Sequence, residues 1–101
     1  MPEHVLEIVE FKLNAGVDDA AFLESVEATK PFVSSLSGFL ERHTAKNSEK
    51  SWVDVVKWRD MQAAKSAAEQ FESAEEVRPL MMMIDPASVK MQHFKVQSRM
   101  E

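Results

Sequence analysis

The sequence predicts an α+β fold whose elements run β-α-β-β-α-β, a four-stranded antiparallel sheet with both helices on one face. Three observations predict it. Runs rich in β-branched and aromatic residues occur at Val5–Leu13, Phe39–Ala45, Ser51–Trp58 and Val89–Val96 and read as strands. The stretches after the first and third of these keep apolar residues at helical spacing. The length, 101 residues, suits one core, so a single domain is expected over 1–101, with its core at about 5–96 and a tail over 97–101.

In the first strand Val5, Glu7, Val9, Phe11 and Leu13 share one face, and His4, Leu6, Ile8, Glu10 and Lys12 the other. Asn14-Ala15-Gly16 supplies turn chemistry. Asp18 is placed to cap a helix in which Phe22, Leu23, Val26, Val33 and Leu36 recur. Pro31 predicts a kink, or an end near Thr29, because an interior proline costs about 3 kcal/mol. Gly38 stops the stretch at a position suited to positive φ. The polar loop Lys46–Lys50 joins the second and third strands as a hairpin. In the third, Trp52, Asp54, Val56 and Trp58 lie opposite Val53, Val55 and Lys57. Asp60 caps a second helix with a stripe of Met61, Ala64, Ala68 and Phe71. Ser73-Ala74-Glu75-Glu76 fits a capping box and predicts a renewed helix to Met83, bent at Pro79 and ended by Asp85-Pro86. In the last strand Met91 and His93 oppose Phe94 and Val96. This order is the split βαβ, or ferredoxin-like, arrangement.

Composition removes several function classes. A hydrophobic fraction of 45% and a charged fraction of 29% are globular values. Twelve basic against seventeen acidic residues give −5, which argues against a sequence-independent nucleic-acid partner. No apolar run nears the ~18 residues of a membrane helix, so no membrane partner is expected. Zero cysteines exclude disulfides and thiol chemistry. Met1-Pro2-Glu3 lacks the features of a signal peptide, and a cytoplasmic location is expected. The three histidines, His4, His43 and His93, show no helical ligand spacing, and two glycines cannot build a phosphate loop. Neither a metal nor a cofactor is expected.

Apolar residues on both faces of the sheet pose a covering problem, since helices shield one face only. Leu6, Ile8, Val53 and Val55, or their opposite-parity neighbours, would face water. A contiguous apolar patch of several hundred Å² usually marks an interface, and a homodimer through the open sheet face answers it.

Val5 to Gly16, Gly38-Phe39-Leu40-Glu41-Arg42, and Trp52-Val53-Asp54-Val55-Val56-Lys57-Trp58 before an alanine-rich helix resemble the antibiotic biosynthesis monooxygenase-like (ABM) family. That family belongs to the dimeric α/β-barrel superfamily, and the resemblance spans roughly Val5 to Val96. It implies a dimeric barrel with a ligand cleft between sheet and helices. It also implies a possible activity, cofactor-independent oxidation of a small electron-rich, aromatic or quinol-like molecule. The alternative is a non-catalytic dimeric small-molecule-binding or structural protein. The haem-degrading branch is similar at Trp58. Its first-strand asparagine falls at Val9, and its helix-two histidine falls within Leu80-Met81-Met82-Met83, where no histidine stands, so haem degradation is disfavoured. The first-strand histidine of the stress-responsive relatives falls at Glu7.

Oxygenase chemistry without a cofactor needs an apolar cavity, a base, and donors for an anion. The catalytic candidates are His43, His93, Glu7 and Asp54, with Arg42 as a donor; His43 and Arg42 have opposite parity and cannot share a cavity on a regular strand. Trp58 and Met82 are the candidate ligand-binding residues. Each also has a packing role open to it: Trp58 as core, His93 as a hydrogen-bonded core histidine, the methionines as gap fillers. Glu7 shares the face of Val9 and Phe11, so it either lines a wet cavity or finds a cation such as Lys57 or Lys95.

Overall fold

A computed structural model describes residues 3–100; the expectations that touch residues 1, 2 and 101 lie outside it. The elements are β1 (Val5–Phe11), α1 (Asp19–Ser35), β2 (Phe39–Lys46), β3 (Trp52–Trp58), α2 (Met61–Ser73), α3 (Arg78–Met83) and β4 (Lys90–Lys95), with single 3-10 turns at Glu75–Val77 and Pro86–Ser88. The sheet is antiparallel throughout, in the order β2-β3-β1-β4, the predicted ferredoxin-like topology. Among the described residues no helix is long and apolar enough to cross a membrane.

Register converts the strand alternation into two defined faces. Val5 lies opposite Trp58, Glu7 opposite Val56, Val9 opposite Asp54 and Phe11 opposite Trp52. On the other side of β1, Glu7 meets His93 and Val9 meets Met91. On β2, Arg42 meets Val56 and Thr44 meets Asp54. Directly opposed residues share a face, so all of these point to the helices. Leu6, Ile8, Val53, Val55 and Phe94 occupy the open face.

The apolar interior forms two clusters. One gathers Val5, Leu36, Val56 and Trp58 against Ala63, Ala64 and Ala67 of α2, whose small side chains let the helix approach the sheet. The other packs Phe11, Phe22, Val26 and Trp52 against Leu80 and Ile84. Phe22 sits between Phe11 and Trp52, with ring centroids 5.5 and 4.9 Å away, and this joins α1 to β1 and β3.

Both predicted aspartate caps form. Asp18 accepts from the Ala21 amide at 3.0 Å, and Asp60 from the Ala63 amide at 2.8 Å. Several local expectations change. α1 runs through Pro31 unbroken. Pro31 and Glu27 are both exposed, so the Glu27 carbonyl, which loses its amide partner to the proline, remains hydrated. The capping box at Ser73 does not form: Ser73 ends α2 and its hydroxyl donates back to the Gln70 carbonyl at 3.4 Å. The renewed helix is therefore a 3-10 turn followed by α3, with Pro79 in the first turn of α3, where no amide donor is required. Its end at Met83 is as predicted, and Asp85 caps the following 3-10 turn. Leu13 lies beyond β1 as an isolated bridge to Ile84. Asn14 fastens this end of the molecule, its backbone amide on the Met83 carbonyl at 2.9 Å and its side chain on that of Met82 at 3.0 Å.

Gly38 has φ +86° and lies where a Cβ would come 2.5 Å from that of Ala63, whereas Gly16, at φ +87°, has nothing within 4 Å of its would-be Cβ. Alanine at either site is expected to lose about 1–2 kcal/mol for the left-handed backbone. Gly38→Ala should lose about 1–3 kcal/mol more for the collision, a difference read from urea unfolding midpoints of the two variants.

Candidate functional site

Between the two core clusters the sheet and the helices do not meet, and a cavity of about 240 Å³ remains. Its apolar walls include Val9, Phe22, Val56, Trp58, Phe71 and Leu80, and its polar groups on the sheet are Glu7, Arg42 and Asp54. The exposed lining residues Met81, Val89 and Met91, with Glu72, mark its mouth. A wider groove of about 790 Å³ lies between α1 and β2. That groove is a surface feature, without Glu7, Asp54 or either tryptophan in its lining. Arg42 belongs to both linings and forms the wall between them.

The middle of the helix-facing side is held by an ion pair. Arg42 Nε donates to Asp54 Oδ1 at 3.0 Å and Oδ2 at 3.2 Å, and Nη2 donates to Oδ2 at 2.9 Å. Nη1 reaches Thr29 Oγ1 on α1 at 2.9 Å, and that hydroxyl donates to the Val26 carbonyl at 2.7 Å. Thr44 adds a donor to Asp54 Oδ1 at 3.2 Å. The two side chains are only 8% and 18% exposed, so a bidentate pair with further hydrogen bonds satisfies charges that could not stand alone there. Asp54 thereby serves as the counter-ion of Arg42.

Glu7 and His93 make the second polar pair, Oε2 to Nε2 at 3.0 Å, with side chains 13% and 25% exposed. The expected cations Lys57 and Lys95 do not reach it. Lys57 lies opposite Leu6, on the open face, and Lys95 opposite Val5, whereas His93 is the direct cross-strand neighbour of Glu7. Trp58 is buried, edge-on to Phe39 at 5.9 Å, and among the described residues its indole N–H has no hydrogen-bond partner. A buried donor left unpaired costs about 1–3 kcal/mol, and the indole nitrogen is covered although other atoms of Trp58 line the cavity.

Of the residues singled out from the sequence, Glu7, Asp54 and Trp58 come together in this cavity and His93 joins through Glu7. His43 does not. It lies opposite Val55 on the open face, 72% exposed beside Glu41 at 3.9 Å, because Arg42 next to it points inward. Met82 also stays outside and exposed; with Leu80 buried beneath α3, Met81 rather than Met82 reaches the mouth. Thr29 and Thr44 escaped the sequence reading. A polar residue in the buried stripe Phe22, Val26, Thr29, Val33 was the available signal for the first. His4, His43 and His93 remain apart, and among the described residues no three potential ligands are grouped to hold a metal ion.

Solved structures of similar shape agree with this architecture. The chain superposes on a variant of SnoaB, a cofactor-independent oxygenase from Streptomyces nogalater, with a TM-score of 0.78 and 17% identity over 96% of each chain. A candidate antibiotic biosynthesis monooxygenase of Bordetella bronchiseptica gives 0.74 at 16% identity, over 95% of this chain and 99% of that one. One from Nitrosomonas europaea gives 0.75 at 11% identity, over 95% and 92%. No protein-family model and no curated protein matches the chain. The fold is therefore that of the ABM-like proteins, as the strand and tryptophan pattern implied.

Asp54→Ala strands the Arg42 guanidinium and is expected to cost about 3–5 kcal/mol. Replacing both partners, Arg42→Met with Asp54→Leu, should cost clearly less. Chemical denaturation of the single and double variants measures the difference.

Proposed function

We propose that this chain is a homodimeric, cofactor-independent monooxygenase that oxidises a small electron-rich aromatic or quinol-like molecule in the cytoplasm, within the cavity between sheet and helices. The observation that carries the reading is an aromatic-walled cavity, lined by Trp58, that gathers Glu7, Arg42 and Asp54 on its sheet side. A planar ligand fits between the apolar walls, and a small shift of the Trp58 ring on binding would bring its indole N–H to an acceptor oxygen. The volume, about 240 Å³, is below the ~300–1,000 Å³ of pockets for drug-sized ligands, so the ligand is small.

Such a ligand supplies the electrons itself. In the simplest case an activated methylene reacts with dioxygen to give a carbonyl and water, and no external reductant enters. The protein contributes orientation, exclusion of water, and donors for the oxyanion that reacts with oxygen. SnoaB, which shares the fold, is named a cofactor-independent oxygenase, and that supports the reading. A second reading, binding without turnover, draws on the Arg42–Asp54 pair, which removes one of the candidate bases.

The dimer forms in this reading through the open sheet face. Half-buried Leu6, Ile8, Val53 and Val55 and the exposed ring of Phe94 offer an apolar centre. Glu10, Glu41, Lys57 and Lys90 border it with both signs of charge, so the face is complementary to a twofold copy of itself.

Oxygen uptake with an anthrone- or quinol-like substrate tests the activity. The native chain should consume oxygen, and Trp58→Phe, which loses one hydrogen bond to the substrate oxygen, should lower kcat/KM about tenfold. Binding without uptake would leave the non-catalytic reading, and absence of both would remove the cavity as a ligand site. Sedimentation equilibrium tests the assembly: a dimer for the native chain and a folded monomer for Val55→Glu, which buries a charge at the centre of the interface.

A further inference from the structure

Three carboxylates line the cavity, and their surroundings differ. Asp54 is neutralised by Arg42, and Glu72 is exposed at the mouth. Glu7 is mostly buried, with Oε2 engaged by His93. Its position relative to Trp58 follows from register. Val5 opposes Trp58 and Glu7 opposes Val56, so Glu7 and Trp58 are diagonal neighbours on one face, about 7–8 Å apart at the backbone. A ligand oxygen between them can meet a Glu7 carboxylate oxygen, and also the indole N–H once the Trp58 ring shifts to admit it.

We propose that Glu7 is the catalytic residue that takes the proton from the ligand, and that His93 is the positioning residue that holds it for this. The inference rests on the ligand site proposed above. In the step the ligand O–H bond breaks, its proton binds Glu7 Oε1, and the electron pair stays on the ligand oxygen beside the Trp58 N–H. The Glu7 carboxylate goes from −1 to neutral and the ligand from neutral to −1, so charge within the cavity is conserved. Neither group is oxidised or reduced here; the transfer only readies the ligand for dioxygen. His93 fixes one carboxylate oxygen and leaves the other to the cavity. When product leaves, the cavity mouth reopens and Glu7 returns its proton to water there before the next ligand binds.

A chromogenic phenol tests this without turnover. 4-Nitrophenol, whose neutral and anionic forms absorb at different wavelengths, is titrated with the protein about one pH unit below its own pKa. On binding to the native chain, the ratio of anion to neutral form should rise at least tenfold, with no proton released to a weakly buffered solution. Glu7→Gln has no carboxylate to take the proton, so any anion it binds should appear together with a proton released to the solution. His93→Gln, whose amide can still donate to Glu7, should retain more of the anion signal than His93→Ala, a rescue that a merely structural role would not produce. A bound probe that stays neutral on the native chain, or an anion signal on Glu7→Gln that still releases no proton, overturns the assignment of Glu7 while leaving the ligand site standing. Failure of the native chain to bind the probe overturns the ligand site and this inference together.

Discussion

The helix-facing side of the sheet is apolar at both ends and charged in the middle, and the shape of the interior follows from that. Arg42 and Asp54 sit where a simple domain would place two more aliphatic residues. They persist because each satisfies the other and because Thr29 and Thr44 take up further hydrogen bonds. With charges in the central rows, the helices cannot close on the sheet along its whole length. The core divides into a cluster under Trp58 and a cluster around Phe22 and Trp52. A sealed, dry void of the remaining 240 Å³ would cost roughly 6 kcal/mol at about 24 cal/mol per Å³, a large part of the stability of any small domain. The cavity escapes that cost by opening between Met81, Val89 and Met91 and by offering polar groups to water or a ligand.

Much of this was legible in strand parity. The alternation of β1 places Glu7 with Val9 and Phe11, and that of β3 places Asp54 with Trp52, Val56 and Trp58; the pairing of the two strands then puts both sets on one face. The same rule separated Arg42 from His43 without saying which of them faced inward. That choice depends on where the irregularity between Phe39 and Glu41 falls, and pattern alone does not fix it. The partner of Glu7 was also hidden. Choosing His93 over a lysine requires the register of β4 on β1, and the two strands are joined only through the whole of the chain between them. Helix phase explains the difference at Met81 and Met82: once α2 ends at Ser73 and a 3-10 turn intervenes, α3 starts afresh and brings Leu80 to the core.

The two faces of the sheet divide the work. One carries the Arg42–Asp54 ion pair, the Glu7–His93 hydrogen bond and Trp58 around a concave space, which is where chemistry on a small molecule is favoured. The other is apolar at its centre, with Glu10, Glu41, Lys57 and Lys90 around it. A twin subunit on that face would stiffen β1 and β3 from behind, and these are the strands that hold Glu7, Asp54 and Trp58 in place.

The central claim is that the cavity beside Trp58 receives a ligand oxygen. It can be read from the indole N–H signals of the chain's two tryptophans in a 15N-resolved proton spectrum, recorded while a quinol-like ligand is added. The account predicts that the Trp58 signal moves downfield with saturation and that the Trp52 signal, in the other cluster, stays near its starting position. A ligand that binds yet leaves the Trp58 signal still would contradict it.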